Sequence, residues 1–137
     1  MEGNKEFTLA SGAVLSVTVA PFADAKRLQN EVFKTIDGRS LSAMTMLELS
    51  MLVSSVETVE SAFFKCAERA LYSVDGAPGV KVTRALFDDP AIGAKAREDY
   101  QEIFTRVLEV NVRPFTKALV SVSSIFLSSI VTPTLQP

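Results

Sequence analysis

The first apolar pattern in the chain alternates between hydrophobic and polar residues. Residues 6–20 read EFTLASGAVLSVTVA, with a turn sequence at Ser11-Gly12. Alternation puts every second side chain on one face of a strand, so the segment predicts a β-hairpin. The apolar residues expected to share a face are Phe7, Leu9, Leu15, Val17 and Val19. Two strands alone are marginal in water, so this face should pack on helices, or a free edge should pair with another strand.

Helical spacing replaces the alternation after Pro21, a residue that suits the first position of a helix. Apolar residues then recur three and four positions apart until Gly38, which predicts an amphipathic helix. The apolar stripe of this helix consists of Phe22, Ala25, Leu28, Val32 and Ile36.

The next run, residues 41–55, reads LSAMTMLELSMLVSS and carries Glu48 as its only charge. A helix that is apolar nearly all round is expected to lie centrally, with neighbours on several sides. Its methionines, Met44, Met46 and Met51, either fill an irregular core or form an adaptable groove for a partner. Core filling is favoured, because core positions outnumber grooves.

Two further helices are predicted in the second half of the chain. Ser54 and Glu57 have capping-box spacing, and they introduce an apolar stripe. That stripe consists of Val56, Val59, Phe63, Cys66, Ala70 and Val74. After a glycine- and proline-rich stretch with a short strand at residues 80–83, Asp88-Asp89-Pro90 predicts a helix start, with Gly93 separating a short first turn. Helical spacing continues from Ala96 to Val110, and Pro114 must then kink the helix or begin a new one.

The last 20 residues contain no charge. The run 118–132 has 15 residues and six hydroxyl groups, so it is too short for a membrane span, which needs roughly 20 mostly apolar residues. In a helix, one stripe would consist of Phe115, Leu119, Val122, Phe126 and Ile130. Either this helix is the last of the core, or its stripe binds another subunit or a client. These five residues are the candidate partner-binding residues.

Together these elements predict one domain spanning residues 1–137, of the α+β class and mainly helical. An N-terminal hairpin (6–20) should pack on a bundle of four or five helices, formed by a helical body (21–117) and a C-terminal helix (118–132). Residues 133–137 should form a loose end.

Composition narrows the chemistry. The chain has 14 basic and 16 acidic residues, and the basic ones are scattered, which argues against a nucleic-acid partner. The absence of histidine removes the usual general base and the commonest metal ligand. The single cysteine, Cys66, cannot form an intramolecular disulfide, and the N-terminus lacks the order of a signal peptide, so a reducing cytoplasm is expected.

The remaining reactive side chains have structural interpretations. Cys66 lies on an apolar stripe, where a buried structural thiol is expected. The acidic pairs Glu57 with Glu60 and Asp99 with Glu102 could in principle hold Mg²⁺, but they fit a solvated helix face better, since basic residues are interspersed. We therefore predict no catalytic residue, no cofactor and no metal, and a protein that is not an enzyme.

Two stretches of the chain match a known pattern. The N-terminal stretch has the form F-T-L-x-S-G-x-x-L followed by x-F-x-x-A-K-x-L, and the late helix has the form A-R-x-D-Y…N-x-x-P-F-x-K-x-L. The first pattern is matched by Phe7, Thr8, Leu9, Ser11, Gly12, Leu15, Phe22, Ala25, Lys26 and Leu28. The second is matched by Ala96, Arg97, Asp99, Tyr100, Asn111, Pro114, Phe115, Lys117 and Leu119. These stretches resemble the tail assembly chaperones of long-tailed bacteriophages and prophages.

The resemblance implies a non-enzymatic factor in the cytoplasm of the bacterial host, which keeps the tape measure protein soluble and helps to recruit tail tube subunits. It also implies self-association and absence from the mature virion. A structural virion component, such as a tail completion or connector protein, is the alternative. An enzyme that uses a carboxylate-bound metal is the third interpretation and the least favoured.

Overall fold

A computed structural model describes residues 4–36 and 45–112, and its fold is α+β. In chain order, the strands and α-helices are β1 (Asn4–Thr8), β2 (Val14–Thr18), α1 (Phe22–Ile36), α2 (Met46–Val53), α3 (Glu57–Cys66), β3 (Leu71–Ser73), β4 (Val80–Lys81) and α4 (Gly93–Asn111). Short 3₁₀ segments occupy Ala67–Arg69 and Arg84–Asp88. The predicted class is therefore confirmed, with four α-helices in the described ranges.

The hairpin is half of a larger sheet. The four strands pair in the order β1-β2-β3-β4, each antiparallel to its neighbour. One row of side chains crosses the sheet from Phe7 through Leu15 and Tyr72 to Val80. The sequence predicted that a free edge of the hairpin could pair with another strand. Strand β3 pairs with the β2 edge of the hairpin, and β4 pairs with β3.

Strand β3 corrects the sequence-based prediction, which carried the third helix as far as Val74. The helix ends at Cys66, and Ala70 has extended backbone with ψ of 146°. Residues four positions apart lie on the same face of a strand, because the spacing is even, and also on the same face of a helix. Ala70 and Val74 therefore fit both strand alternation and helical periodicity. The predicted strand at residues 80–83 is confirmed over Val80–Lys81.

The hairpin turn is built around a glycine with positive φ. The Leu9 N–H donates to the Ala13 carbonyl at 2.8 Å, and the Gly12 N–H donates to the Leu9 carbonyl at 2.9 Å. Gly12 has φ of +94°, a backbone conformation that residues with a side chain rarely adopt. This three-residue loop fixes the register in which Phe7 pairs with Leu15.

The buried face of the hairpin is shorter than predicted. Leu9, Leu15 and Val17 are buried and Phe7 packs against the core, but Val19 is 44% exposed. Strand β2 ends at Thr18, so the alternation no longer determines where Val19 points. In α1, similarly, the predicted stripe is buried from Ala25 to Ile36, whereas Phe22 is 69% exposed at the first residue of the helix.

Helix α2 is not central, which corrects a second prediction. Leu49, Ser50 and Val53 are buried, but Leu47 and Met51 are 50% and 62% exposed. Met51 is therefore not a core filler, Met46 is half-buried against the core, and Met44 lies outside the described residues.

The capping box also lies elsewhere than predicted. The Thr45 hydroxyl accepts from the Glu48 N–H at 3.0 Å, and the Glu48 carboxylate accepts from the Thr45 N–H at 2.9 Å. Ser54 instead follows the end of α2, where its hydroxyl donates to Gln101 of α4 at 3.4 Å. The link between α2 and α3 is so short that Ser54 still belongs to the last turn of α2.

At the start of α4, Asp89 accepts the N–H groups of Ala91 and Ile92 at 2.7 and 3.0 Å, and the helix proper begins at Gly93. The separate first turn that Gly93 predicted is therefore present. The predictions made for Gly38, Pro114, the C-terminal helix and the loose end concern residues outside the described ranges.

The difference in burial between Val17 in β2 and Val19 just after the strand gives a matched test. Val17→Asp should lower the free energy of unfolding by roughly 2–4 kcal/mol, because it removes buried apolar area and buries a charge. Val19→Asp makes the same chemical change two residues away and should cost less than about 1 kcal/mol. Urea unfolding of both variants measures the difference, and equal losses would contradict the assigned end of the strand.

Candidate functional site

The polar residues of the two recognised stretches join parts of the fold that are far apart in sequence. Asp99 of α4 is 4% exposed, and its Oδ2 accepts hydrogen bonds from the Ser11 hydroxyl and the Tyr72 hydroxyl, both at 2.6 Å. One carboxylate oxygen therefore connects α4 with the hairpin turn and with β3. We refer to Asp99, Ser11 and Tyr72 as the Asp99 cluster.

Further contacts continue along the same side of α4. Glu102 accepts from the Ala10 N–H at 3.0 Å, and the Arg106 guanidinium lies 4.6 Å from the centre of the Phe7 ring. Near the end of the helix, the buried Asn111 accepts from the Ala20 N–H at 2.8 Å. The hairpin thus lies lengthwise along α4, with its turn beside Asp99 and its end beside Asn111.

These contacts correct the interpretation of the acidic pairs as solvated faces for Asp99, and in part for Glu60 and Glu102. Asp99 is buried, and Glu102 holds the hairpin turn. Glu60 accepts from the Tyr100 hydroxyl at 2.7 Å and from Arg84 at 3.1 Å, while Glu57 is exposed. Over residues 4–36 and 45–112, no group of three or more His, Cys, Asp or Glu side chains is placed to hold a metal ion.

Cys66 is buried between α3 and α1. Its thiol donates to the Asp24 carbonyl at 3.2 Å. Burial, reinforced by the nearby charges of Asp24 and Glu68, raises the pKa of the Cys66 thiol to about 12. A thiol that stays protonated at neutral pH is a poor nucleophile, so the structural role predicted for Cys66 is supported.

The exposed part of α2 is one candidate interaction surface. Leu47 and Met51 are four residues apart on the same side of the helix and are both at least half exposed. We call these two residues the α2 apolar surface. Its methionine matches the second interpretation of the sequence, an adaptable surface for a partner.

A second candidate surface is a cleft of about 480 Å³ between α3, the 3₁₀ segment Arg84–Asp88 and the first half of α4. The residues that line this aromatic–arginine cleft are Glu60, Phe64, Arg84, Phe87, Asp88, Arg97 and Tyr100. Sequence reasoning missed the cleft, since its residues come from three separate elements. One weak indication of the cleft was present in the sequence, because Arg84, Phe87 and Arg97 belonged to no predicted apolar stripe.

The partner-binding residues predicted from the sequence, Phe115, Leu119, Val122, Phe126 and Ile130, lie outside the described residues. Within the described part, no helix combines the length and the hydrophobicity that a bilayer crossing requires.

Comparisons with protein-family models, with curated proteins and with solved structures found no match.

The Asp99 cluster predicts a measurable contribution to stability. Ser11→Ala and Tyr72→Phe should each lower the free energy of unfolding by about 1–2 kcal/mol, since each removes a hydrogen bond to the buried Asp99 carboxylate. The loss of stability in the double variant should differ from the sum of the two single losses, because the two hydroxyls share one acceptor oxygen. Ser61→Ala, at an exposed position of α3, is the control and should change stability by less than about 0.5 kcal/mol. A Ser11→Ala cost no larger than this control would refute the contribution.

The two tyrosines of the chain, Tyr72 and Tyr100, predict the response to high pH. Burial raises the pKa of both phenols, and the carboxylates that accept their hydrogen bonds, Asp99 and Glu60, raise it further. Raised folded pKa values give stability that is complete below the unfolded value of about 10 and is lost as pH rises above it. Phenolate absorbance should therefore appear together with the loss of circular dichroism. Ionisation of a tyrosine in the folded protein near pH ~10 would contradict the buried hydrogen bonds.

Proposed function

We propose that the chain is a tail assembly chaperone of the kind found in long-tailed phages and prophages. It binds the tape measure protein, helps to recruit tail tube subunits, and performs no catalysis. It self-associates, acts in the cytoplasm of the bacterial host and is absent from the mature virion. The observation that carries the proposal is the contact between the two stretches that carry the resemblance. Ser11 and Ala20 of the first are hydrogen-bonded to Asp99 and Asn111 of the second.

This contact gives the resemblance a physical basis. The polar residues that connect separate elements of the fold include Ser11, Asp99 and Asn111. A substitution at any of them would leave a buried partner without a hydrogen bond. A match at such positions supports a shared fold more strongly than a match at exposed positions. The function follows from the resemblance, and the fold alone does not determine it.

The α2 apolar surface supplies a contact for the client. A tape measure protein is long and hydrophobic in the family that the chain resembles, so each copy of the chaperone needs to cover only a short apolar stretch. The side chains of Leu47 and Met51 are accessible without unfolding the core. Contacts of this size are weak singly, so stable coating would require several copies acting together. The residues predicted from sequence, from Phe115 to Ile130, are a second proposed contact.

The alternative is a structural virion component, such as a tail completion or connector protein. The same small fold and the same exposed apolar residues would suit a permanent interface. The two functions differ in the fate of the protein, because a chaperone leaves before the particle is complete. Mass spectrometry of purified particles separates them, since detection of the chain in stoichiometric amounts favours the virion component.

Replacing the α2 apolar surface tests the proposal. When the chain is co-expressed with a candidate tape measure protein, the long helical product of a neighbouring gene, the two should purify together. Leu47→Glu combined with Met51→Glu should reduce the recovered client by about tenfold or more, because charges replace exposed apolar contacts. The thermal midpoint should stay close to that of the unchanged protein.

The matched control is Thr58→Glu combined with Ser61→Glu, which adds the same charge at exposed positions of α3. It should retain the client. If the unchanged chain does not recover the client at all, the proposed function is overturned. If both double variants retain the client equally, the function stands and the contact assigned to α2 is wrong.

A further inference from the structure

We propose that the aromatic–arginine cleft binds a peptide segment of a partner protein in which an aromatic or large apolar side chain lies next to a carboxylate. The cleft is formed by residues other than the α2 apolar surface, so it would bind a partner other than the tape measure protein. Its test requires no tape measure protein.

Three rings give the cleft its apolar wall. Phe87 lies between Phe64 and Tyr100, with centroid distances of 6.1 and 5.5 Å and interplanar angles of 70° and 81°. These are edge-to-face arrangements, in which one ring presents its edge and the next its face. All three rings are half-buried, so their outer surfaces remain accessible to a side chain of a partner. A volume of about 480 Å³ is large enough for one aromatic side chain and its neighbour.

Two arginines at the rim are held in place by the protein itself. The Arg84 guanidinium lies 4.7 Å from the centre of the Phe64 ring and donates through Nη1 to Glu60 at 3.1 Å. Arg97 donates through Nε to the Phe87 carbonyl at 2.7 Å and through Nη2 to Asp88 at 3.0 Å. Both side chains are nevertheless well exposed, at 58% and 66%. Because their orientation is already set, a ligand would lose little side-chain entropy by binding them.

The hydrogen-bond inventory of the rim indicates an acceptor as ligand. Both oxygens of Glu60 already accept a bond, one from Arg84 and one from Tyr100, and Asp88 accepts from Arg97 through Oδ1. Each guanidinium has five N–H groups. Arg84 uses one of them and Arg97 uses two in bonds to described residues. The unused capacity consists mainly of charged donors, for which a carboxylate is the strongest small partner in a protein.

The charge balance of the cleft favours a peptide over a nucleic acid. Arg84 and Arg97 are opposed by Glu60 and Asp88, so the formal charge of these four groups is zero, and the whole chain carries −2. A polyanion would therefore gain little long-range attraction. A peptide carboxylate needs only the local donors, and its aromatic neighbour gains the apolar wall. Neither group alone is expected to bind well.

A tryptophan peptide makes the test direct, because the chain contains no tryptophan and the probe supplies the only indole signal. Acetyl-Glu-Trp-Glu-amide should bind the unchanged protein with a blue shift of its fluorescence. Acetyl-Gln-Trp-Gln-amide, which keeps the ring and removes the charge, should bind about tenfold more weakly or worse. The Nε–H signals of Arg84 and Arg97 in nitrogen-15 NMR spectra should shift during the first titration.

Substitutions assign the site. Arg84→Gln and Arg97→Gln should each weaken the charged peptide by about tenfold while leaving the uncharged peptide unchanged. Arg27→Gln, at an exposed position of α1 outside the cleft, is the matched control and should bind as the unchanged protein does. Arg97→Lys keeps the charge and loses the planar donor pair, so it keeps the measurement informative if Arg97→Gln unfolds.

Three results would overturn the proposal. The first is no binding of the charged peptide at about 1 mM. The second is equal binding of the charged and uncharged peptides, or no effect of either cleft arginine. The third is tighter binding of a short single-stranded thymidine oligonucleotide in the same titration, which would assign the cleft to nucleic acid.

Discussion

The buried carboxylate of Asp99 is the constraint on which the arrangement of this fold depends. Removing a carboxylate from water is costly unless hydrogen bonds replace its hydration. Here the hydroxyls of Ser11 and Tyr72 supply two short bonds to one oxygen. Those hydroxyls belong to the hairpin turn and to β3, while Asp99 belongs to α4. The three elements must therefore adopt their positions together, because displacement of any one leaves a buried polar group without its partner.

The same constraint connects the core to the surface. Asp99 and Tyr100 are consecutive on α4, and consecutive residues of a helix point about 100° apart. When Asp99 faces the hairpin turn and β3, Tyr100 faces α3 and the 3₁₀ segment, where it meets Glu60 and the Phe87 ring. The Phe63 ring, stacked on Phe104 at 4.5 Å, lies behind this wall. The rotation of α4 is thus determined by a polar contact on one side and by aromatic packing on the other, and the cleft is a consequence of both.

Local patterns of the sequence were sufficient for the elements whose partners are close in the chain. Gly12 and the alternation around it predicted the hairpin, and the spacing from Ala25 to Ile36 predicted α1. The patterns failed where a distant partner decides the outcome. Tyr72 is in a strand because β2 is beside it, and neither Ala70 nor Val74 distinguishes a strand from a helix. Asp99 was interpreted as solvated because basic residues are interspersed along its helix, and its two donors lie far away in sequence. The cleft was missed because its residues come from three separate elements.

The two exposed surfaces differ in the chemistry that they present. Leu47 and Met51 offer flexible apolar side chains on a short helix, with no fixed polar group to specify a partner. Such a surface tolerates many sequences, which would suit the long client proposed above. The cleft offers guanidinium groups fixed by a carbonyl, two carboxylates and a ring, and fixed donors reject ligands that cannot accept their bonds. The function proposed above, in which one partner is brought to another, would use both kinds of surface, one permissive and one selective, and the two candidate surfaces lie on different elements.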